Sequence, residues 1–292
     1  MFELPDLHAQ GPMTLRYEDI TQDGRPRVGA LPTALGVVWR GVAPPAEVRT
    51  AMTEHGIIPI LTRLRVEAFD GPFSIEEPFA VRGSFSLAHA KSAAGDVERL
   101  FLDIETEVEG RLGRTNLPPP PGAGTIAAAG TVFAEHVFTR PFAAPDERKV
   151  LALPVGGGRF VPPRERAQRA PRDVITVPNT AMPLEGDFVR DDTPLVMGPT
   201  HTDSNQHVNS LVYPALFEEA VLRRLARLGR SVQVLARSLE LGYRRPSFAG
   251  DTLRISLRTF TRDDAIECVG VFHAEDETDL AKARVYVRMT LR

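Results

Sequence analysis

A chain of 292 residues that is 42% hydrophobic and 25% charged has the composition of a globular protein with a sizeable core, long enough for two ordinary domains. Its formal net charge of −3 is too small to argue for nucleic acid or an anionic membrane surface, and its arginines are scattered rather than gathered in one block. The single cysteine, Cys268, excludes an intrachain disulfide and a cysteine-built zinc cluster.

The opening Met-Phe-Glu-Leu-Pro-Asp has no basic segment followed by an apolar one. No apolar run approaches the roughly 20 residues of a membrane span, so a cytoplasmic protein is expected. Residues 1–12 read as a loose lead-in and 15–20 as a first strand, with Asp23-Gly24 as a turn. A helix is expected from about Leu31, with Leu35, Val38, Trp39 and Val42 on one face and Pro44-Pro45 as its stop. A shorter helix over 47–54 has Gly56 as its C-terminal cap. Strands follow at 57–69, 79–88, 98–109 and 131–138, the third alternating Phe101/Asp103/Glu105 against Leu102/Ile104/Thr106.

The stretch 117–124, Leu-Pro-Pro-Pro-Pro-Gly-Ala-Gly, reads as an exposed polyproline loop. Residues 151–182, with Gly156-Gly157-Gly158 and several arginines, read as a linker. The glycines lack the Gly-Lys-Ser/Thr ending of a phosphate loop. The second half repeats the plan of the first: a strand near 195–199, a long helix closed by Gly229, then strands at 232–243, 252–260, 265–274 and 281–291. The expected fold is therefore α+β, two copies of a helix wrapped by an antiparallel sheet, with an N-terminal repeat over 1–150 and a C-terminal repeat over 183–292.

Chemistry concentrates in His201-Thr-Asp-Ser-Asn-Gln-His-Val-Asn209. Asp203, Asn205, His207 and Asn209 alternate there. Val208, Leu211, Val212, Ala215 and Leu216 then fall at i, i+3, i+4, i+7 and i+8, the stripe of a helix buried along one face. Polar groups at a helix start sit where free N–H groups stabilise negative charge. The same residues also suit plain capping: Asn209 reads as an N-cap, and Glu219 as an interior acid. His201, two residues before Asp203, reads as polar lining. His55, His89, His136 and His273 do not make metal-ligand spacing, and no Gly-x-Ser-x-Gly elbow is present.

Asp203-Ser-Asn-Gln-His-Val-Asn209, followed by Tyr213 and Glu219-Ala220, resembles the Asp-x-Asn-x-His-Val-Asn signature of hotdog-fold acyl-carrier-protein (ACP) thioesterases. Residues 239–253 are similar to the strand and Gly-Asp turn that follow the helix in that family. Tyr17-Glu-Asp-Ile20 and Ile60-Leu-Thr-Arg-Leu-Arg-Val66 are similar to parts of its first repeat. The resemblance implies two tandem hotdog repeats and hydrolysis of a fatty acyl-ACP or acyl-CoA thioester without metal or organic cofactor. It implies catalytic roles for Asp203, Asn205 and His207, and places His201, Asn209, Tyr213 and Glu219 around the substrate. A monomer or a homodimer of two-repeat units is compatible with it. His207 suits a base for the attacking water, Asn205 a donor to the thioester oxygen, and Asp203 a partner for the imidazole or a proton acceptor.

The plant-type members carry an acid and a cysteine after Tyr-Arg-Arg, whereas Tyr243-Arg244-Arg245 here precedes Pro246-Ser247. Glu240, on the same strand, is a candidate replacement base. Two alternatives stand beside the thioesterase. One is a hotdog hydratase or dehydratase, whose motif has a proline where Gln206 stands. The other is a non-catalytic acyl-binding module.

Overall fold

The computed structural model describes residues 7–42, 46–114, 117–155 and 158–292. The chain divides into two compact units. One comprises residues up to Pro26, Leu31–Leu64 and Phe69–Arg169; the other comprises Arg27–Ala30, Arg65–Ala68 and Ala170–Arg292.

The first unit contains strand β1 (Leu7–Met13), helices α1 (Leu35–Gly41) and α2 (Ala46–Glu54), and strands β2 (Ile58–Ala68), β3 (Phe79–Lys91), β4 (Val97–Arg111) and β5 (Ile126–Thr139). The strand order is β1-β3-β4-β5-β2. The first strand is β1, inside the segment expected to be loose, and 17–19 instead form a 3-10 turn. Two local forces account for the shift. The Asp19 carboxylate accepts from the Arg16 backbone N–H at 2.9 Å and closes the turn. Pro12 lies opposite Ala80 on an edge strand, the position where a missing N–H is tolerated.

The helix expected from Leu31 begins as a 3-10 segment, Leu31–Ala34, before α1. Its buried face is Leu31, Ala34, Val37 and Val38, while Trp39 stays exposed. The Pro44-Pro45 stop lies outside the described residues, and Gly56 takes a positive φ of 59° after α2. Gly83 on β3 lets α1 approach: a Cβ there would lie 2.5 Å from Val38 Cγ2 and 2.7 Å from the Glu105 carbonyl.

β4 shows what local alternation leaves out. Phe101 and Asp103 alternate with Leu102 and Ile104, yet all four are buried. Residues 164–166 run along the edge of β3, the backbone N–H of His89 donating to Arg164 and that of Arg166 to His89, each at 2.9 Å. The Arg166 guanidinium then lies 3.6 Å above the Phe101 ring. It donates to Asp103 Oδ1 at 3.0 Å and Glu135 Oε2 at 2.8 Å. Part of the segment read as linker thus covers this sheet; Gly156 and Gly157 lie outside the described residues.

The second unit contains short strands β6 (Met182–Pro183), β7 (Val189–Arg190) and β8 (Leu195–Val196), helix α3 (Val212–Arg227), and strands β9 (Ala236–Tyr243), β10 (Thr252–Arg262), β11 (Ala265–Ala274) and β12 (Val285–Leu291). The long strands pair antiparallel in the order β9-β12-β11-β10, and β8, β7 and β6 pair in turn along the free edge of β10. That edge is thereby closed to another chain. Both units are α+β, with antiparallel sheets and few helices.

α3 buries Tyr213, Phe217, Ala220, Val221 and Leu225 and is closed by Gly229 at φ 64°. Gly270 in β11 lies directly beneath Phe217, so a Cβ there would strike the Phe217 ring and lie 2.9 Å from the Ser256 carbonyl oxygen. Gly270→Ala is therefore expected to destabilise the protein by about 1–3 kcal/mol through overpacking, measured as a lower urea midpoint at unchanged slope. Cys268 is fully buried in the same sheet, and burial pushes its thiol above the ordinary range. No helix among the described residues is long and apolar enough to cross a membrane.

Candidate active site

The motif 201–209 folds as a tight hairpin placed before α3. Asp203, Ser204, Asn205 and Gln206 form a turn closed by the Gln206 N–H donating to the Asp203 carbonyl at 2.9 Å. The Asp203 N–H donates to the His207 carbonyl at 3.0 Å, and Thr202 bridges to Val208. Asp203 begins this turn because its carboxylate accepts the Asn205 N–H two residues on, at 2.8 Å, the local bond that makes Asp a turn former. The alternation of Asp203, Asn205 and His207 is thus a hairpin tip rather than a continuous strand.

Gln206 adopts φ 64°. Proline is locked near −65°, so the proline of the hydratase motif cannot occupy this position in this hairpin.

The hairpin is anchored in two places. The Asn209 N–H donates to the His201 carbonyl at 2.8 Å, and the Asn209 side-chain oxygen accepts the Leu211 N–H at 2.8 Å. Asn209 thus caps the turn that leads into α3. The expected helical stripe from Val208 starts too early: Val208 and Leu211 precede the helix, and the buried Val208 belongs to the hairpin. His201 accepts the Gly198 N–H at Nδ1, 2.9 Å away, which fixes its ring on its own turn. The second anchor comes from forty residues downstream, where the Val208 N–H donates to the Ser247 carbonyl at 2.8 Å and His207 bridges to Phe248. The Phe248 ring meets the imidazole edge-on at 5.2 Å between centroids. Phe248 is itself held by its N–H donating to Asp251 Oδ2 at 2.8 Å.

Asn205 and His207 are exposed and Asp203 is half-buried. Among the described residues, the Asp203 carboxylate receives the Asn205 N–H and, at 3.5 Å, the Asn209 Nδ2. No hydrogen bond joins it to the His207 ring. Tyr213 is buried beneath the hairpin, packed against Phe272 at 5.0 Å and Tyr243 at 6.2 Å. Burial pushes its phenol above the ordinary range. Tyr243 donates to the Ser210 carbonyl at 3.1 Å, and its hydroxyl is likewise raised by burial.

Glu219 is exposed and pairs with Arg223 at 3.6 Å. Its neighbour Glu218 is half-buried, with its carboxyl pushed up by burial and Arg27 opposing the shift. The 100° step of the helix explains the difference: 219 falls opposite the stripe of Tyr213, Phe217, Val221 and Leu225, whereas 218 falls at its margin.

Glu240 does not face this site. Tyr243 on β9 faces α3, and Glu240, three residues earlier, points to the opposite face of the strand. Its cross-strand partner Arg288 donates to the Val174 carbonyl at 3.0 Å, which marks that opposite face. Where the plant-type pattern has its cysteine, Ser247 is fully buried beside Tyr213. Phe248 and Ser247 were missed in the motif reading, because only the fold brings 246–251 beside 203–209.

Two successive α+β units, the second carrying a polar hairpin before its long helix, define the two-repeat hotdog class. Residues 205–277, about a quarter of the chain, match the family model described as Thioesterase superfamily. Among solved structures, the chain is similar to an oleoyl thioesterase from Lactobacillus plantarum, at 14% identity over 99% of this chain and 96% of that one, with a TM-score of 0.58. It is also similar to an acyl-ACP thioesterase from Bacteroides thetaiotaomicron (16% identity, 98% of both chains, TM-score 0.55). A third is the 12:0-ACP thioesterase from Umbellularia californica (14% identity, 98% of this chain and 94% of that one, TM-score 0.56). No curated protein sequence matches the chain.

Proposed function

We propose that this protein is a thioester hydrolase acting on acyl chains carried by a phosphopantetheine thiol, as acyl-ACP or acyl-CoA. The observation that carries the reading is the hairpin that leaves Asn205 and His207 exposed, both residues falling within the segment that matches the Thioesterase superfamily. Water attacks the thioester carbonyl while His207 takes its proton, and Asn205 donates to the oxyanion that forms. Collapse of the tetrahedral intermediate breaks the C–S bond, and the thiolate leaves with the proton from His207. The acid and the free thiol are the products.

Asp203 acts here as a positioning residue. It holds Asn205 and Asn209 through its carboxylate, so its effect on the imidazole runs through the hairpin. The φ of Gln206 favours this reading over a hydratase. The test is thiol release from acyl-ACP and acyl-CoA panels of increasing chain length. A maximum at one length is expected. Absence of release, with enoyl thioesters also left unhydrated, would leave an acyl-binding module.

A further inference from the structure

The strand end that leads from β9 to Phe248 carries two exposed arginines, Arg244 and Arg245. Both backbone N–H groups donate to one carbonyl, that of Arg284, at 2.9 and 3.2 Å, which holds the pair side by side. Exposed Arg172 follows Pro171, whose carbonyl oxygen would lie 2.5 Å from a Cβ on Gly242, two residues before Arg244. The nearby acids are engaged elsewhere: Asp251 pairs with Arg284, Asp279 lies 4.0 Å from Lys282, and Asp173 accepts the Ala170 N–H at 2.8 Å. Among the described residues, none of Arg172, Arg244 and Arg245 has an acidic partner.

Arg244 and Arg245 stand in the segment that leads to the ring contact of the imidazole. Tyr243, just before the pair, is bonded to Ser210. Ser247, two residues after it, receives the Val208 N–H, and Phe248 contacts His207. Phe248 is three residues on from Arg245, at most about 11 Å of chain, to which an arginine side chain adds about 6 Å. The thirteen bonds from the sulfur of 4′-phosphopantetheine to its phosphorus span about 15 Å by the same count. Guanidinium groups match phosphate oxygens bidentately.

We infer that Arg244 and Arg245, with Arg172 beside them, form the subsite for the phosphoryl group of a 4′-phosphopantetheine thioester, the group that CoA and a carrier protein share. The inference rests on the thioesterase reading for its substrate but not for its binding test. Matched acyl-pantetheine and acyl-4′-phosphopantetheine thioesters are compared with wild type and Arg244→Gln/Arg245→Gln. Wild type is expected to favour the phosphorylated thioester in kcat/KM by about 10- to 100-fold at low salt. The double variant, and wild type in 1 M NaCl, bring that ratio close to one. Equal losses on both thioesters, or a ratio unmoved by the substitutions, overturn the inference.

Acyl-CoA and acyl-ACP supply the remaining arms, and both slow together if the shared phosphoryl group is what binds. Slowing of acyl-CoA alone points to its nucleotide end, and slowing of acyl-ACP alone to the carrier's surface; either overturns the subsite. Calorimetric titration with free 4′-phosphopantetheine and with pantetheine needs no turnover. Tighter binding of the former, lost in the double variant, sustains the subsite even if no thioester is cleaved, in which case the hydrolase reading alone falls. No difference between the two ligands in wild type overturns the subsite.

Discussion

His207→Ala is expected to lower thioester turnover by about 10²- to 10⁴-fold, the usual contribution of a positioned acid–base group, while the protein remains folded. The two halves of that expectation have separate grounds. The hydrogen bonds that hold His207 use its backbone, its carbonyl accepting the Asp203 N–H, and alanine keeps them. The side chain is exposed, and its ring contact is the edge of Phe248, so its removal costs stability about 0.5–1.5 kcal/mol.

Asp203→Ala behaves differently. It removes the acceptor for the Asn205 N–H and Asn209 Nδ2, so rate and stability fall together, and Asp203→Asn, which retains one acceptor oxygen, recovers part of both. Thiol release measured beside thermal unfolding separates the two cases. A His207→Ala enzyme with wild-type kcat would remove the proposed base.

The second large effect lies in the first unit. Arg166→Ala is expected to cost about 3–5 kcal/mol near neutral pH, because it leaves two buried carboxylates without their shared cation. Asp103 and Glu135 are 2% and 4% exposed, and Arg166 donates to both. Thr62 Oγ1 also donates to Glu135 Oε1 at 2.7 Å, whereas Asp103 Oδ2 is buried without a hydrogen-bond partner among the described residues. Burial already pushes the Asp103 carboxyl up to about 6, with Arg166 opposing the shift.

A folded-state value above the ordinary one means that folding favours the protonated acid. The contribution of Asp103 to stability is then fully present below about pH 4 and is lost as the pH rises through 6. Without Arg166 the folded-state value climbs further, so the deficit of the variant is largest at pH 8 and shrinks toward pH 5. Urea midpoints at the two pH values check this, and an equal deficit at both would show that the carboxylates are not its source. Arg166→Met keeps an apolar stem while losing the guanidinium over Phe101, and is expected to retain the pH dependence while losing less stability than alanine.

How much of this was legible in the residue order depended on the range of the interaction. β11 was readable to its end residues, and the close of α3 at Gly229 was readable too, because alternation, helical period and a positive-φ glycine are local properties. The motif 203–209 was readable as a polar cluster before a helix because an Asx turn and a cap need only neighbours two or three residues away. Its shape was not. The start of α3 at Val212, the left-handed Gln206 and the arrival of Phe248 against His207 were set by the pairing of 207–208 with 247–248.

The same boundary separates Glu219 from Glu218 and turns Glu240 away from the hairpin, since the side of a helix or strand that is covered is decided by what packs on it. It also explains Asp103. In β4 that residue is an ordinary polar position in an alternating strand. It becomes a buried acid because Arg166, sixty-three residues later, folds back over it. Residue order by itself determined the periodicities, the turns and the chemistry-bearing cluster. Tertiary structure alone decided which polar groups face one another, because those contacts join segments whose separation along the chain leaves no local trace.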